Sequence, residues 1–217
     1  MFNNLIIAHR GVHDNKSTPE NSIKAFYKAV IKKYPIELDI QLTKDNEIVV
    51  FHDKNLKRMT NIDKNVEDLT LSEIKKLKLL DTNEHIPTLD EVLKLVNGKV
   101  LLDIEIKPTD KYKEICALLN EKLKNYKGNI LVKSFDYRIP KWFKKNNPNI
   151  KRGLLLSDTN HCILRLLLCK PDFLAISKKC NLNSFIKKYP ILLWTIKDPK
   201  EFNTYEKTTT NFICNNL

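Results

Sequence analysis

The stretch "IELDIQLTKDNEIVVFHD", residues 36–53, holds two strand-like runs around a turn. Ile36, Leu38 and Ile40 alternate with Glu37, Asp39 and Gln41, and Ile48, Val49, Val50 and Phe51 form a second apolar run. Asp45-Asn46 between them is a hairpin signal, because both residues tolerate the backbone of a tight turn. With these two as the turn, Lys44 faces Glu47 and Asp39 faces His52. Directly opposed residues of an antiparallel pair share a face, and so do residues two apart on one strand. The pattern therefore predicts Glu37, Asp39 and His52 on one side of a strand pair. Leu38, Ile40, Val49 and Phe51 are left to pack on the other.

Outward from the hairpin the chain alternates in a simpler way. Apolar runs rich in Ile, Val and Leu occur at 5–8, 36–40, 100–106, 130–133, 152–156, 173–176, 191–195 and 211–214. Amphipathic stretches separate them. "ENSIKAFYKAVIKKY" places Ile23, Phe26, Tyr27, Val30 and Ile31 on one helical face, behind Thr18-Pro19 as N-cap and first helical residue. "KYKEICALLNEKLKNY" repeats the pattern with Ile115, Leu118, Leu119 and Leu123. Shorter helix candidates begin at 88, 139, 161, 182 and 199. Eight runs separated by helices predict an α/β fold, a (β/α)8 TIM barrel. A doubly wound open sheet is the alternative, and no GxGxxG or Walker motif supports it in a chain with four glycines. Residues 53–90 form a polar, helix-prone excursion, read as a small insertion after the second barrel strand. The 217 residues suit one barrel domain covering 1–217.

Composition narrows the classes. The chain is 42% hydrophobic and 29% charged, as globular proteins are. "MFNNLIIAHR" has no basic lead and too short an apolar run for a secretory signal. The longest apolar stretch, "CILRLLLC" at 162–169, is broken by Arg165 and far too short to span a membrane. Cys116, Cys162, Cys169, Cys180 and Cys214 show no CxxC spacing and read as free thiols of a reducing, cytoplasmic setting. A net charge of +12 attracts phosphorylated small molecules, nucleic acid or an anionic membrane surface. The lysine pairs are scattered and not interleaved with aromatics, so nucleic acid is not selected. Peripheral membrane contact stays open.

The chemistry concentrates at strand ends. "IIAHRGVHDN", residues 6–15, carries an apolar run straight into His9 and Arg10. "VLLDIEIKP", residues 100–108, alternates Asp103, Glu105 and Lys107 with apolar residues. On a barrel such strand ends face the mouth, where sites are built. Glu37, Asp39 and Glu105 cannot all ionise cheaply in a partly buried cluster. A divalent cation, Mg²⁺ or Ca²⁺ for an all-oxygen set, would neutralise them, and so would a salt-bridge network with Arg10 and Lys107. With a cation, Arg10 and Lys107 suit a phosphate, and His9 and His52 suit the acid and base of phosphodiester cleavage.

The spaced set HRG, PEN, ExD, HD and ExK, with SF and WT elements, resembles the glycerophosphodiester phosphodiesterase family from His9 to about Asp198. The resemblance implies a TIM barrel with an excursion after HD, and hydrolysis of glycerophosphodiesters to glycerol 3-phosphate and an alcohol. It implies His9 and His52 as the acid/base pair and Glu37, Asp39 and Glu105 as metal ligands. Arg10 and Lys107 would hold the phosphate, Glu20 and Asn21 would support the first loop, and Trp194 would line the pocket. Ser134-Phe135 matches the SF element. Lysophospholipids are the alternative substrates, as for a lysophospholipase D, and a basic binding protein on a degenerate barrel is the alternative class. Two departures stand out. Val12-His13-Asp14 follows Gly11, with His13 read as a loop histidine. The chain stops at "TNFICNNL", where the family carries an aspartate and a final helix. Arg138 and His161 match no element.

Overall fold

The computed structural model describes residues 4–159, 162–180 and 184–217. His161 and the starts of the helix candidates at 161 and 182 lie outside them. The strands are β1 (Ile6–Ala8), β2 (Ile36–Leu42), β3 (Ile48–Val50), β4 (Leu102–Ile106), β5 (Ile130–Ser134), β6 (Lys151–Leu156), β7 (Phe173–Ser177), β8 (Ile191–Ile196) and β9 (Phe212–Cys214). All but β3 pair in parallel, in the order β1-β9-β8-β7-β6-β5-β4-β2, and Ala8 opposite Ile36 closes the ring. This is the (β/α)8 barrel the apolar runs predict. The longer helices are α1 (Ile23–Ile31), α4 (Leu89–Val96), α5 (Tyr112–Leu123) and α6 (Arg138–Asn146). Shorter ones are α2 (Lys57–Thr60), α3 (Leu71–Ile74), α7 (Ile163–Cys169) and α8 (Phe202–Tyr205).

The hairpin forms, one residue out of the predicted register. Ile40 pairs with Val50, Gln41 with Val49 and Leu42 with Ile48. The loop has three residues, Lys44 to Asn46, closed by Thr43 N to Glu47 O at 3.0 Å. Asn46 takes the left-handed backbone (φ 62°) and Thr43 Oγ1 donates to Asp45 Oδ1 at 2.6 Å. That is the geometry of a three-residue hairpin loop, not the two-residue turn expected from Asp45-Asn46. Asp39 therefore lies across from Phe51, whose N–H donates to Asp39 O, and His52 follows beyond the ladder. The slip also divides the apolar residues. Leu38, Ile40, Ile48 and Val50 pack beneath the helices, whereas Val49 and Phe51 join a separate cluster with Leu56, Met59, Ile74 and Ile86 of the excursion.

Helix α1 starts later and turns further than its pattern suggested. Ser22, not Thr18, caps it, accepting from Ala25 N at 3.1 Å. Ala25, Phe26 and Ala29 are buried, and Tyr27 and Ile31 are exposed. The small residues face inward because the first loop presses on them. A Cβ on Gly11 (φ +80°) would lie 2.9 Å from Ala25. Inside the barrel, Ile7, Leu131, Leu155, Phe173, Ala175, Leu192 and Ile213 form an apolar half. Gly153 makes room there, since a Cβ would lie 2.4 Å from the Phe173 ring. The other half, on β2, β4 and β5, is filled by charges.

Candidate active site

Strand pleat and register place those charges. Glu37 lies beside Asp103, Asp39 beside Glu105, and Glu105 beside Lys133, so all five point inward in two rows. All are buried. Glu37, Asp39 and Glu105 each offer a carboxylate oxygen, and the three atoms lie within 4.8 Å of one another. Lys133 Nζ lies 2.7 Å from Asp103 Oδ2 and 3.2 Å from Glu37 Oε1. Lys107 Nζ bridges Asp39 Oδ1 at 2.8 Å and Glu105 Oε1 at 2.6 Å. Arg10 reaches the same cluster twice, through its N–H to Glu37 Oε2 at 3.0 Å and Nε 3.4 Å from Asp39 Oδ2.

The balance of charge is uneven. Burial alone would raise the Asp39 carboxyl, but Lys107 and Arg10 hold it well below the usual carboxylate range. Burial raises Glu105, and the neighbouring Asp39 charge adds to it. Burial likewise pushes Asp103 up to about 6, even with Lys133 beside it. Burial would lower Lys133, and the Asp103 and Glu37 carboxylates more than reverse that. Four buried carboxylates thus share three cations, Arg10, Lys107 and Lys133. Asp39 Oδ1 is buried and, despite the nearby Lys107, receives no well-directed hydrogen bond from the described residues. An all-oxygen set with surplus negative charge and an orphaned oxygen fits a hard divalent cation.

Two histidines face this cluster from opposite loops. His9 follows β1, and its Nδ1 lies 2.6 Å from Asn215 Oδ1, just past β9. Burial lowers the His9 pKa, outweighing the nearby Glu37. His52 Nδ1 lies 2.6 Å from Asp53 Oδ1. Asp53 is held by Arg58 Nε at 2.5 Å, and Arg58 Nη2 reaches Glu20 Oε1 at 2.6 Å. Arg10 Nη1 meets that same Glu20 oxygen at 2.6 Å. Gln41 Nε2 donates to the carbonyls of Phe51 and Asp53, both at 2.8 Å, which fixes the segment carrying His52 after the ladder stops. Asn21 Nδ2 donates to Asp39 Oδ2 at 2.9 Å.

His9, Arg10, His52, Lys107, Phe135 and Trp194 line a cavity of about 100 Å³ over the carboxylates. It continues past His52 and Lys107 into a groove of about 830 Å³ between the excursion and the loop after β4. Trp194 stands edge-on to Phe135, with ring centroids 5.8 Å apart, and its buried Nε1 has no hydrogen-bond partner among the described residues. Ser134 Oγ donates to Ile106 O at 2.7 Å, tying β5 to β4. Arg138 pairs with Asp136, lies over the Tyr112 ring and lines the groove. His13 lines neither cavity.

A family model described as the glycerophosphoryl diester phosphodiesterase family matches residues 9–211. The chain belongs to that family. A glycerophosphodiester phosphodiesterase of Caldanaerobacter subterraneus subsp. tengcongensis is 41% identical over 180 residues, covering 75% of this chain and 72% of that one. The structure of an Oleispira antarctica phosphodiesterase in complex with the product sn-glycerol-3-phosphate superposes with a TM-score of 0.87 at 27% identity, over 98% of this chain and 93% of the other. A lysophospholipase D of Rattus norvegicus is 34% identical over 134 residues, 56% of this chain and 41% of that one.

As a member of the glycerophosphoryl diester phosphodiesterase family, the chain is a phosphoric diester hydrolase. The site gathers every residue that the sequence singled out for it, namely His9, Arg10, Glu37, Asp39, His52, Glu105, Lys107 and Trp194. Sequence reasoning missed Lys133, Arg58, Gln41 and Asn215. Lys133 had a legible signal, a lysine at the inward position of the apolar run "ILVKS". Asn215 carried no such signal, and only the closing of the barrel brings it beside His9.

Proposed function

We propose that the chain hydrolyses glycerophosphodiesters to glycerol 3-phosphate and an alcohol, with His9 and His52 moving the protons. The observation that carries this reading is the convergence of three carboxylates between two histidines, each backed by its own partner. Glu37, Asp39 and Glu105 would hold Mg²⁺ or Ca²⁺, which when bound supplies positive charge to the phosphate oxygens. Arg10 and Lys107 would pair with the same phosphate from the cavity wall. The Asn215 carbonyl oxygen can only accept, so His9 Nδ1 carries the proton and Nε2 keeps its lone pair. With its pKa lowered by burial, His9 suits the base that takes a proton from the attacking water. His52, held through Nδ1 2.6 Å from Asp53 Oδ1, is then the acid that protonates the leaving alkoxide. Trp194 would close one wall. Five free cysteines, four of them buried, support a reducing cytoplasmic setting.

A second reading has its own support. The groove beyond His52 exceeds what a small alcohol needs and carries Leu42, Pro108 and Phe135 along its walls, so lysophospholipids are the rival substrates. A release assay on a panel of glycerophosphodiesters and lysophosphatidylcholine, with and without chelator, tests both. The expected result is cation-dependent release of glycerol 3-phosphate, with kcat lowered about 10²–10⁴-fold in His9→Ala and in His52→Ala. Release that survives full chelation and both substitutions overturns the mechanism. Faster turnover of the lysolipid selects the rival substrate.

A further inference from the structure

Helix α7 is amphipathic in an inverted sense. Cys162, Leu166 and Cys169 are buried against β6 and β7. At about 100° per residue the opposite face carries Ile163, Leu164, Leu167 and Leu168. These are 51, 66, 58 and 37% exposed, although a soluble surface normally puts charges there. They are the only cluster of exposed aliphatic residues on one short helix among the described residues. The apolar ridge has a basic border. Arg165 on α7 and Lys170, its C-cap, flank it. On one side α6 packs alongside and brings exposed Lys144 and Lys145. On the other, Ile186 shares the core of α7, and exposed Lys187 and Lys188 follow it. Among the described residues none of these six cations forms an ion pair.

We propose that this face docks on an anionic lipid surface, with the four aliphatic side chains entering the headgroup region and the lysines meeting lipid phosphates. Apolar burial combined with basic flanks is the chemistry of an interfacial helix. A net charge of +12 adds long-range attraction. Two copies meeting at this face would bring its basic borders against one another, a like-charge contact. A second copy of the chain is therefore the weaker occupant. Helix α7 begins just after β6, so Ile163 and Leu164 lie at the end of the helix nearest the barrel mouth. Docking there would hold the mouth beside the lipid–water boundary. The inference stands apart from the reaction assigned to the site.

Flotation of the chain with vesicles tests it. Phosphatidylglycerol/phosphatidylcholine vesicles should carry the chain upward, and pure phosphatidylcholine vesicles should not. Leu164→Glu/Leu167→Glu should lower the bound fraction at least about tenfold, since each withdrawn leucine is worth about that factor. Leu164→Ser/Leu167→Ser, milder for folding, should lower it in the same direction, and Lys144→Glu/Lys187→Glu should do so most strongly at low salt. Circular dichroism and turnover of a water-soluble glycerophosphodiester should match the parent in each variant. Failure of the parent chain to float, or flotation of both leucine variants equal to the parent's, overturns the proposal. So does a dimer by light scattering that the leucine substitutions dissociate, because the face is then an interface between copies.

Discussion

Asn215 shows how one neutral amide can orient a neighbouring imidazole. Its side-chain oxygen lies 2.6 Å from His9 Nδ1. Asn215→Leu should lower kcat more than about tenfold by freeing the imidazole to turn. Thermal melts should barely move. Asn215→Asp keeps the acceptor and adds a charge that favours imidazolium, so the acidic limb of the kcat/KM profile should shift to higher pH. A pH profile unchanged in Asn215→Asp would argue that the contact is only structural. Glu20 is the complementary case. Burial would raise its pKa, but the hydrogen bond from Arg58 and the charge of Arg10 bring it down to about 2 from 4.5. A depressed carboxylate stabilises the fold fully above the unfolded pKa and loses that contribution as pH falls through the folded one. Glu20→Gln should therefore cost about 3 kcal/mol at pH 7, and urea titrations should show the gap closing between about pH 4.5 and pH 2.

Elements carry the next level of specification. Inward and outward residues of β2, β4 and β5 follow from a two-residue period, so Glu37, Asp39, Asp103 and Glu105 were legible as one face. The helix α1 was less so. Its apolar pattern fits two rotations of the helix, and contact of Gly11 with Ala25 selects the one that leaves Tyr27 and Ile31 in solvent. The hairpin turned on a similar local choice. Asp45-Asn46 permits a two-residue turn, but Thr43 and Asn46 together stabilise a three-residue loop, and the slip by one residue moves Val49 and Phe51 to the excursion. On β6, Gly153 is required by its neighbour on β7. Gly153→Ala should cost about 1–3 kcal/mol in chemical denaturation, because the Phe173 ring is enclosed by the inner barrel and cannot retreat. A cost near zero would mean that the inner core relaxes more freely than its packing implies.

At the scale of the whole molecule, the barrel draws four carboxylates and three cations into one interior. That surplus predicts a response to cations that needs no substrate. Saturating Mg²⁺ or Ca²⁺ at about 100 times its Kd should add about 2.7 kcal/mol and raise Tm by about 5–10 °C. Glu105→Gln should abolish the rise, whereas equal melts with and without cation in the parent chain would leave the carboxylates to a salt-bridge role alone. By itself the sequence determined the barrel, the strands that build it and the inward-facing acids, because these depend on hydrophobic period and strand alternation along a few residues. It also marked His9 and Arg10 as strand-end groups and Lys107 as part of the mouth. Only the tertiary structure decided which charges neutralise one another. Closure of β1 against β2 brings Arg10 to Asp39, the inner packing brings Lys133 to Asp103, the excursion brings Arg58 to Glu20, and the last strand brings Asn215 to His9. Each of these partners lies far away in sequence, and electrostatic pairing depends on distance in space and on the low dielectric of a closed interior.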